Sequence, residues 1–315
     1  MADVTGMIRA VAMDLDGTIA TDDQVGDTVR EAIGRARENQ LATVLVTGRI
    51  LADLDTGFPG LRDLFDAIVA ENGAVLDIDG FVHELGEALG PQLSAALSRA
   101  GIPHRTGRIL LGCPAEHANA VSDLVAALGL DAQLVRNRGQ LMLVPAGISK
   151  GTGLLAALHE LGLSPHNVLA VGDAENDLAL LAAAEIGVAV ANALPSVREH
   201  ADLVLDRPNG CGVAALLGGP LVAGRQPMQV SRRRSRSVPS ADGSVATVPG
   251  AGANILVTGD TGSGKSHLAG LLIEQWIDAG YSVLVVDVEG DYVGLGRLNK
   301  SSSSGASSHH TATSS

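Results

Sequence analysis

Short unbroken apolar runs recur along this chain, separated by amphipathic segments of helical period. The runs are Ala10 to Met13, Leu41 to Val46, Ala67 to Ala70, Asn167 to Val171, Ile186 to Val190 and Leu203 to Leu205. Such runs, rich in Val, Ile, Leu and Ala and lacking polar alternation, read as strands buried on both faces. Between them, Thr28 to Asn39 places Val29, Ala32, Ile33 and Ala36 on one helical face, with Thr28 and Glu31 at capping-box spacing. Leu154 to Leu161 and Leu178 to Ala184 read as further helices, and Pro195-Ser196 as a short helix start. Strand and helix in alternation predict an α/β fold with a doubly wound parallel sheet covered by helices.

The rhythm changes near Leu76. Ile78-Asp79-Gly80-Phe81 reads as a hairpin turn. Leu89 to Ala100 and Pro114 to Leu128 read as helices, Arg108 to Leu111 as a strand, and Leu134-Val135 with Leu141 to Val144 as a hairpin around Asn137-Arg138-Gly139-Gln140. Two helices with intervening hairpins predict a small α+β insert over 78–145, flanked by the two parts of the core, 1–77 and 146–222. Residues 223–249 read as an Arg-, Ser- and Pro-rich linker, with a hairpin turning at Asp242-Gly243 as the alternative. A phosphate-loop segment is placed at 250–300 and a disordered Ser-rich tail at 301–315.

Chemistry-bearing residues collect where the predicted strands end. Asp14 and Asp16 follow the first strand, and Gly17 allows the chain to turn. Two carboxylates at i and i+2 of a strand share a face, so both are expected in one cleft, suited to a magnesium site or acid/base work. Thr47-Gly48-Arg49 follows the second strand and Glu71-Asn72-Gly73 the third. Lys150 opens a helix, and Asp173, Asn176 and Asp177 follow a later strand. In a parallel sheet those ends converge on one crevice. It would combine carboxylates for a hard cation with a hydroxyl and an ammonium for phosphate. Each residue also has a plainer role: Thr47 could cap the next helix, Lys150 could be a solvated surface lysine, and 172–177 could be a turn with acids in a first helical turn.

Composition narrows the class. The 46% apolar content supports a sizeable core, and with only 2% aromatics that core must be aliphatic. The formal charge of −13 argues against nucleic-acid binding by the whole chain and leaves the run Arg232 to Arg236 as a local basic patch. Two cysteines, Cys113 and Cys211, without metal-ligand spacing fit an intracellular protein without a disulfide framework. No signal-peptide pattern opens the chain, and no apolar run reaches the about 18 residues of a membrane span. The expectation is a soluble, cytoplasmic protein.

The motifs DLDGT (14–18), VTGR (46–49), ENGA (71–74), SKG (149–151) and GDAEND (172–177) stand in an order and spacing that resembles the haloacid dehalogenase superfamily. More narrowly they resemble its Cof-type phosphatases, whose cap is inserted between motifs. The resemblance covers about residues 8 to 217. It implies that Asp14 attacks phosphorus to form an aspartyl-phosphate, while Asp16 protonates the leaving oxygen and then activates water. It further implies Mg²⁺ held by Asp14, the backbone carbonyl of Asp16 and Asp173, with Asn176 and Asp177 in support. Thr47, Gly48 and Lys150 would bind the phosphoryl oxygens, and Arg49 and Asn72 would touch the substrate, a small phosphorylated metabolite. Phosphomutase chemistry is the enzymatic alternative.

A second phosphate motif follows. Gly259-Asp260-Thr261-Gly262-Ser263-Gly264-Lys265-Ser266 matches G-x-x-x-x-G-K-[ST], between an expected strand at Asn254 to Thr258 and an expected helix at His267 to Ala279. Ser282 to Val286 reads as a further strand. The segments 255–276 and 283–292 resemble the start of HerA/FtsK-like P-loop ATPases. That implies a nucleotide, ATP, at Gly259, Gly262, Gly264, Lys265 and Ser266, and keeps open a nucleotide-binding or DNA-associated module with an accessory phosphatase. Two strands and one helix are too few to bury a core unaided. The shift after Leu298 to a Ser-rich tail reads as a truncated or frame-shifted end.

Overall fold

Strand β1 (Ala10–Asp14) is buried along its whole length and lies in the middle of the larger sheet. In the computed structural model, residues 8–137, 139–225, 234–239, 245–249, 255–260, 262–281, 283 and 285 are described. They belong to two units, 1–230 and 231–315. After β1 the chain runs through β2 (Ala20–Thr21), β3 (Gln24–Val25), α1 (Asp27–Glu38), β4 (Ala42–Val46), α2 (Leu51–Gly57), β5 (Ala67–Ala70), β6 (Val75–Ile78) and β7 (Phe81–Glu84). It continues through α3 (Pro91–Arg99), β8 (Arg105–Thr106), β9 (Leu111–Pro114), α4 (Ala118–Ala127), β10 (Ala132–Asn137) and β11 (Gln140–Pro145). It returns through α5 (Lys150–Glu160), β12 (Val168–Gly172), α6 (Leu178–Ala183), β13 (Ile186–Ala189), α7 (Pro195–His200), β14 (Leu203–Val204) and α8 (Asn209–Leu217).

The larger sheet has the order β14-β13-β12-β1-β4-β5-β6-β7, parallel from β14 to β5 and antiparallel for the last two strands. Helices cover the sheet, which is why its central strands tolerate no polar alternation. The chain leaves β1 toward β4 and β5 on one side and comes back as β12 on the other. The strand order therefore reverses at β1. Loops that follow β1, β4 and β12 diverge there and leave a crevice at the strands' C-terminal ends. Asp14 is the last residue of β1 and stands at that switch point.

The insert has its own antiparallel sheet, β10-β11-β9-β8, and its own apolar cluster, in which Leu93, Leu97, Val121, Leu141 and Leu143 are buried. The expected boundary at 77/78 falls inside the β6–β7 hairpin, and both of its strands pair into the larger sheet. Its turn is as expected: Asp79 and Gly80 both have positive φ, as a two-residue hairpin loop demands.

Other local expectations shift. The Thr28/Glu31 capping box does not form. Helix α1 is capped by the backbone of Gly26, with Asp27 in its first turn. A reciprocal box forms instead at α5, where Ser149 Oγ accepts from Thr152 N–H at 3.2 Å and Thr152 Oγ1 from Ser149 N–H at 2.9 Å. Arg108 to Leu111 is not a strand. Residues 108–110 form a loop with β9 starting at Leu111, because their amides are bonded to a side chain of the core rather than to a neighbouring strand.

In the second unit, β15 (Arg234–Pro239) and β16 (Val245–Pro249) form an antiparallel hairpin where a linker was the first reading, and the expected turn at 242–243 lies outside the described residues. Helix α9 (Lys265–Asp278) follows, starting two residues before the expected His267, with Leu272 and Ile273 buried. Residues 255–260 adopt no strand, against expectation. The strand expected at 282–286 and the Ser-rich tail at 301–315 fall on residues outside those described, apart from 283 and 285. Among the described residues no helix is long and apolar enough to cross a membrane.

Candidate active site

Three carboxylates and one ammonium meet at the end of β1. Lys150 Nζ donates to Asp14 Oδ1 and to Asp177 Oδ1, both at 2.6 Å, and all three residues are buried. Asp14, Asp173 and Asp177 each offer an oxygen, and these lie within 4.8 Å of one another. Asp177 also organises its own loop. Its Oδ2 accepts from the N–H groups of Asp173 and Ala174 at 2.9 Å, which fixes the backbone of that loop. Thr18 Oγ1 donates to Asp173 Oδ1 at 3.3 Å and links the first motif to the last.

Electrostatics follow from this crowding. Burial and the negative neighbour Asp177 push the Asp14 carboxyl well above the usual carboxylate range, against the pull of Lys150. Burial alone would lower the Lys150 ammonium, but Asp14 and Asp177 outweigh it and hold the lysine protonated. One ammonium does not neutralise three buried carboxylates. A hard divalent cation bound by oxygen would do so, and the donor set fits Mg²⁺. Asn176 adds a buried Oδ1 without a hydrogen-bond partner, while its Nδ2 donates to Asn72 Oδ1 at 3.3 Å.

Asp14 and Asp16 do not share a face in the way strand periodicity predicted. The strand stops at Asp14, and Gly17 with φ +87° turns the chain. Asp16 is part-exposed and both of its oxygens accept from Arg49, Oδ2 from Nε at 2.9 Å and Oδ1 from Nη2 at 2.6 Å. Arg49 also pairs with Asp23 and lies 4.8 Å over the Phe58 ring. Its hydrogen bonds to Asp16 outweigh burial and keep the guanidinium charged. The Asp16 side chain is thus outside the acidic cluster that the sequence grouped it with.

Thr47 is fully buried, and its Oγ1 accepts from Arg49 N–H at 3.1 Å, shaping the turn of its own loop. A Cβ at Gly48 would stand 3.0 Å from Met142 Sδ of the insert, close enough that the methionine would have to give way. Asn72 is buried with φ +57°, in a turn whose Glu71 and Asn72 N–H groups donate to Arg49 O and Thr47 O. Above Gly48 and Arg49 lies a cavity of about 660 Å³ between core and insert. Asp16 and Asp53 line it from below, and His104, Arg105, Asn137 and Gln140 from above. His104 bonds Ser94 Oγ and Ile102 O and also lines this cavity. Sequence reasoning missed Thr18, Glu71 and Met142. The first two stood inside quoted motifs, but nothing in their spacing signalled a partner more than 30 residues away.

A model described as haloacid dehalogenase-like hydrolase matches residues 11–84 and 118–217, more than half the chain. The chain belongs to the haloacid dehalogenase-like hydrolases. Among curated relatives of this hydrolase, phosphoglycolate phosphatase 2 of Saccharolobus solfataricus is 31% identical over 216 residues, covering 66% of this chain and 90% of that one. The phosphoglycolate phosphatase of Methanothermobacter thermautotrophicus is 33% identical over 214 residues, covering 66% and 96%. A haloacid dehalogenase-like hydrolase from Bacteroides thetaiotaomicron has the same fold, with a TM-score of 0.58 at 21% identity over 67% of this chain and 98% of that one. One from B. subtilis has a TM-score of 0.57 at 20% identity over 68% and 100%. A second family model, helicase HerA central domain, matches residues 253–311 and agrees with the resemblance drawn from the P-loop motif.

Proposed function

We propose that the chain is a Mg²⁺-dependent phosphatase that hydrolyses a small phosphorylated metabolite through an aspartyl-phosphate. The observation that carries this reading is the buried cluster of Asp14, Lys150, Asp173 and Asp177 at the sheet's switch point. Asp14, the backbone carbonyl of Asp16 and Asp173 would hold Mg²⁺, with Asn176 and Asp177 in support, and the ion would offset the charge of an incoming phosphate dianion. An Asp14 oxygen attacks phosphorus while the bond from phosphorus to the leaving oxygen breaks. Asp16 supplies the proton to that oxygen, which requires Arg49 to give up one of its two hydrogen bonds to Asp16. Water then attacks phosphorus, its proton passes to Asp16, and the phosphorus–Asp14 bond breaks. Thr47, Gly48 and Lys150 would bind the phosphoryl oxygens, and Arg49 and Asn72 would meet the substrate.

The relatives' names point to phosphoglycolate, and the cavity of about 660 Å³ is also large enough for a sugar phosphate. A screen of phosphorylated metabolites with purified protein and Mg²⁺ tests the reading, with p-nitrophenyl phosphate as general substrate. Release of phosphate that stops in EDTA supports it. Product analysis with a sugar phosphate separates hydrolysis from a mutase. Turnover unaffected by EDTA overturns it.

A second reading concerns the other unit: Gly259, Gly262, Gly264, Lys265 and Ser266 bind a nucleotide. Two observations favour it, the HerA-type match and the positive φ of Gly262 and Gly264 just before the N-terminus of α9. That arrangement presents backbone N–H groups to an anion. ATP affinity that persists in Lys265→Ala would contradict it.

A further inference from the structure

Glu71 is fully buried, and the chemistry above does not use it. Its carboxylate reaches from the core into the insert and accepts three backbone N–H groups, from Arg108 at 3.0 Å and from Ile109 and Leu110 at 2.9 Å each. These are charge-assisted bonds, the strong kind. The same loop buries Ile109 in the apolar core of the larger sheet. Gly107 leaves room for the carboxylate, since a Cβ there would stand 2.5 Å from its atoms. Glu71 itself has φ +53°, a conformation that a non-glycine residue holds only when its surroundings impose it. Its N–H donates to Arg49 O, and the next N–H to Thr47 O. One strained turn therefore touches the 47–49 loop with its backbone and the insert with its side chain.

We propose that Glu71 is a positioning residue that pins the insert to the core and so sets the height of the cavity over Gly48. Residues 107–110 attach the insert to the core away from the two chain crossings, beside the exposed ion pair of Arg105 with Asp53. Swinging the insert away as a rigid body would strip three donors from a buried carboxylate, a costly state. The insert flexes about this pin instead. Leu110 and Met142, which pack together and line the cavity, stay in register with Gly48, and the size of the admitted leaving group is limited accordingly.

Cys113 reports on the pin without any assay of activity. It is buried, lines the same cavity and lies on β9 just beyond the tethered loop. In a Cys211→Ser background it is the chain's one remaining thiol. With Glu71→Gln added, iodoacetamide is expected to alkylate Cys113 at least about tenfold faster, while the melting midpoint moves by less than about 4 °C. Alkylation at the parent rate, or rising only in step with a lowered melting midpoint, overturns the proposal. If Glu71→Gln does not fold, Gly107→Ala displaces the carboxylate by its Cβ and must give the same acceleration; the parent rate there overturns it equally. In the unaltered protein, hydrogen exchange over 108–110 is expected to be slow, and exchange at free-loop rates overturns the pin. Size selection rests on the phosphatase reading. The ratio of kcat/KM for adenosine 5′-monophosphate to that for p-nitrophenyl phosphate should rise about fivefold in Glu71→Gln. No turnover of either ester by the parent would defeat the phosphatase reading and leave the alkylation result to decide the pin.

Discussion

Two loops of this chain carry sequence motifs for phosphate chemistry, residues 14–18 and residues 259–266, and the fold treats them differently. The first is held from several distant points of the sequence. Lys150 bonds Asp14 from 136 residues away, and Thr18 bonds Asp173 from 155. In the second, the described residues show local bonds. Lys265 Nζ donates to the carbonyl of Asp260, at 2.7 Å, and the surrounding side chains are largely exposed. A motif supplies donors and acceptors, but burial and long-range partners give them shifted charge states and fixed geometry. The acidic cluster has both.

The comparison predicts a ranking of effects. Asp14→Asn should lower p-nitrophenyl phosphate hydrolysis by at least about a thousandfold, since in the proposed mechanism it removes the attacking group and not a binding contact. Turnover equal to the parent would remove Asp14 from the mechanism. Lys150→Ala leaves two buried carboxylates facing each other without their cation. It should cost about 3–5 kcal/mol in urea unfolding as well as activity. A loss within the range of a surface lysine would show that the ammonium is not needed where the structure has it. Saturating Mg²⁺ should stabilise the parent by about 2.7 kcal/mol at a hundredfold excess over its Kd. No shift in the melting midpoint would sink the metal assignment. For the second loop, Lys265→Ala should abolish any ATP affinity seen by titration calorimetry.

The smallest effect concerns the thiols. Burial raises the Cys113 thiol above its ordinary value, so less of it is thiolate near neutrality, whereas Cys211 is exposed. Mass spectrometry should therefore find Cys211 alkylated well before Cys113. The reverse order would mean that the insert opens freely.

Much of the first unit was legible because its signals are local. Apolar runs such as Ala67–Ala70 coincide with the observed strand, and the alignment of Val29, Ala32, Ile33 and Ala36 coincides with the buried face of α1. Most failures arose where a residue's partner lies far along the chain, and one, at the start of α1, was a local shift of two residues. Arg108 to Leu111 has strand composition, but Glu71 takes three of its amides. Thr28 has the right neighbour for a cap, but Gly26 starts the helix. Asp16 has strand spacing from Asp14, but the strand ends and Arg49 claims it.

The order of residues, by itself, determined the central strands of the larger sheet, the apolar side of α1, and that acids fall at strand ends. Those properties depend on neighbours within a few positions. Tertiary structure alone decided which acids lie within 4.8 Å of one another, that Lys150 stands between two of them, and that Glu71 faces the insert. Each of these is a distance between residues brought together by the sheet's reversal at β1 or by the docking of the insert on the core. Spacing along the chain carries no such distance.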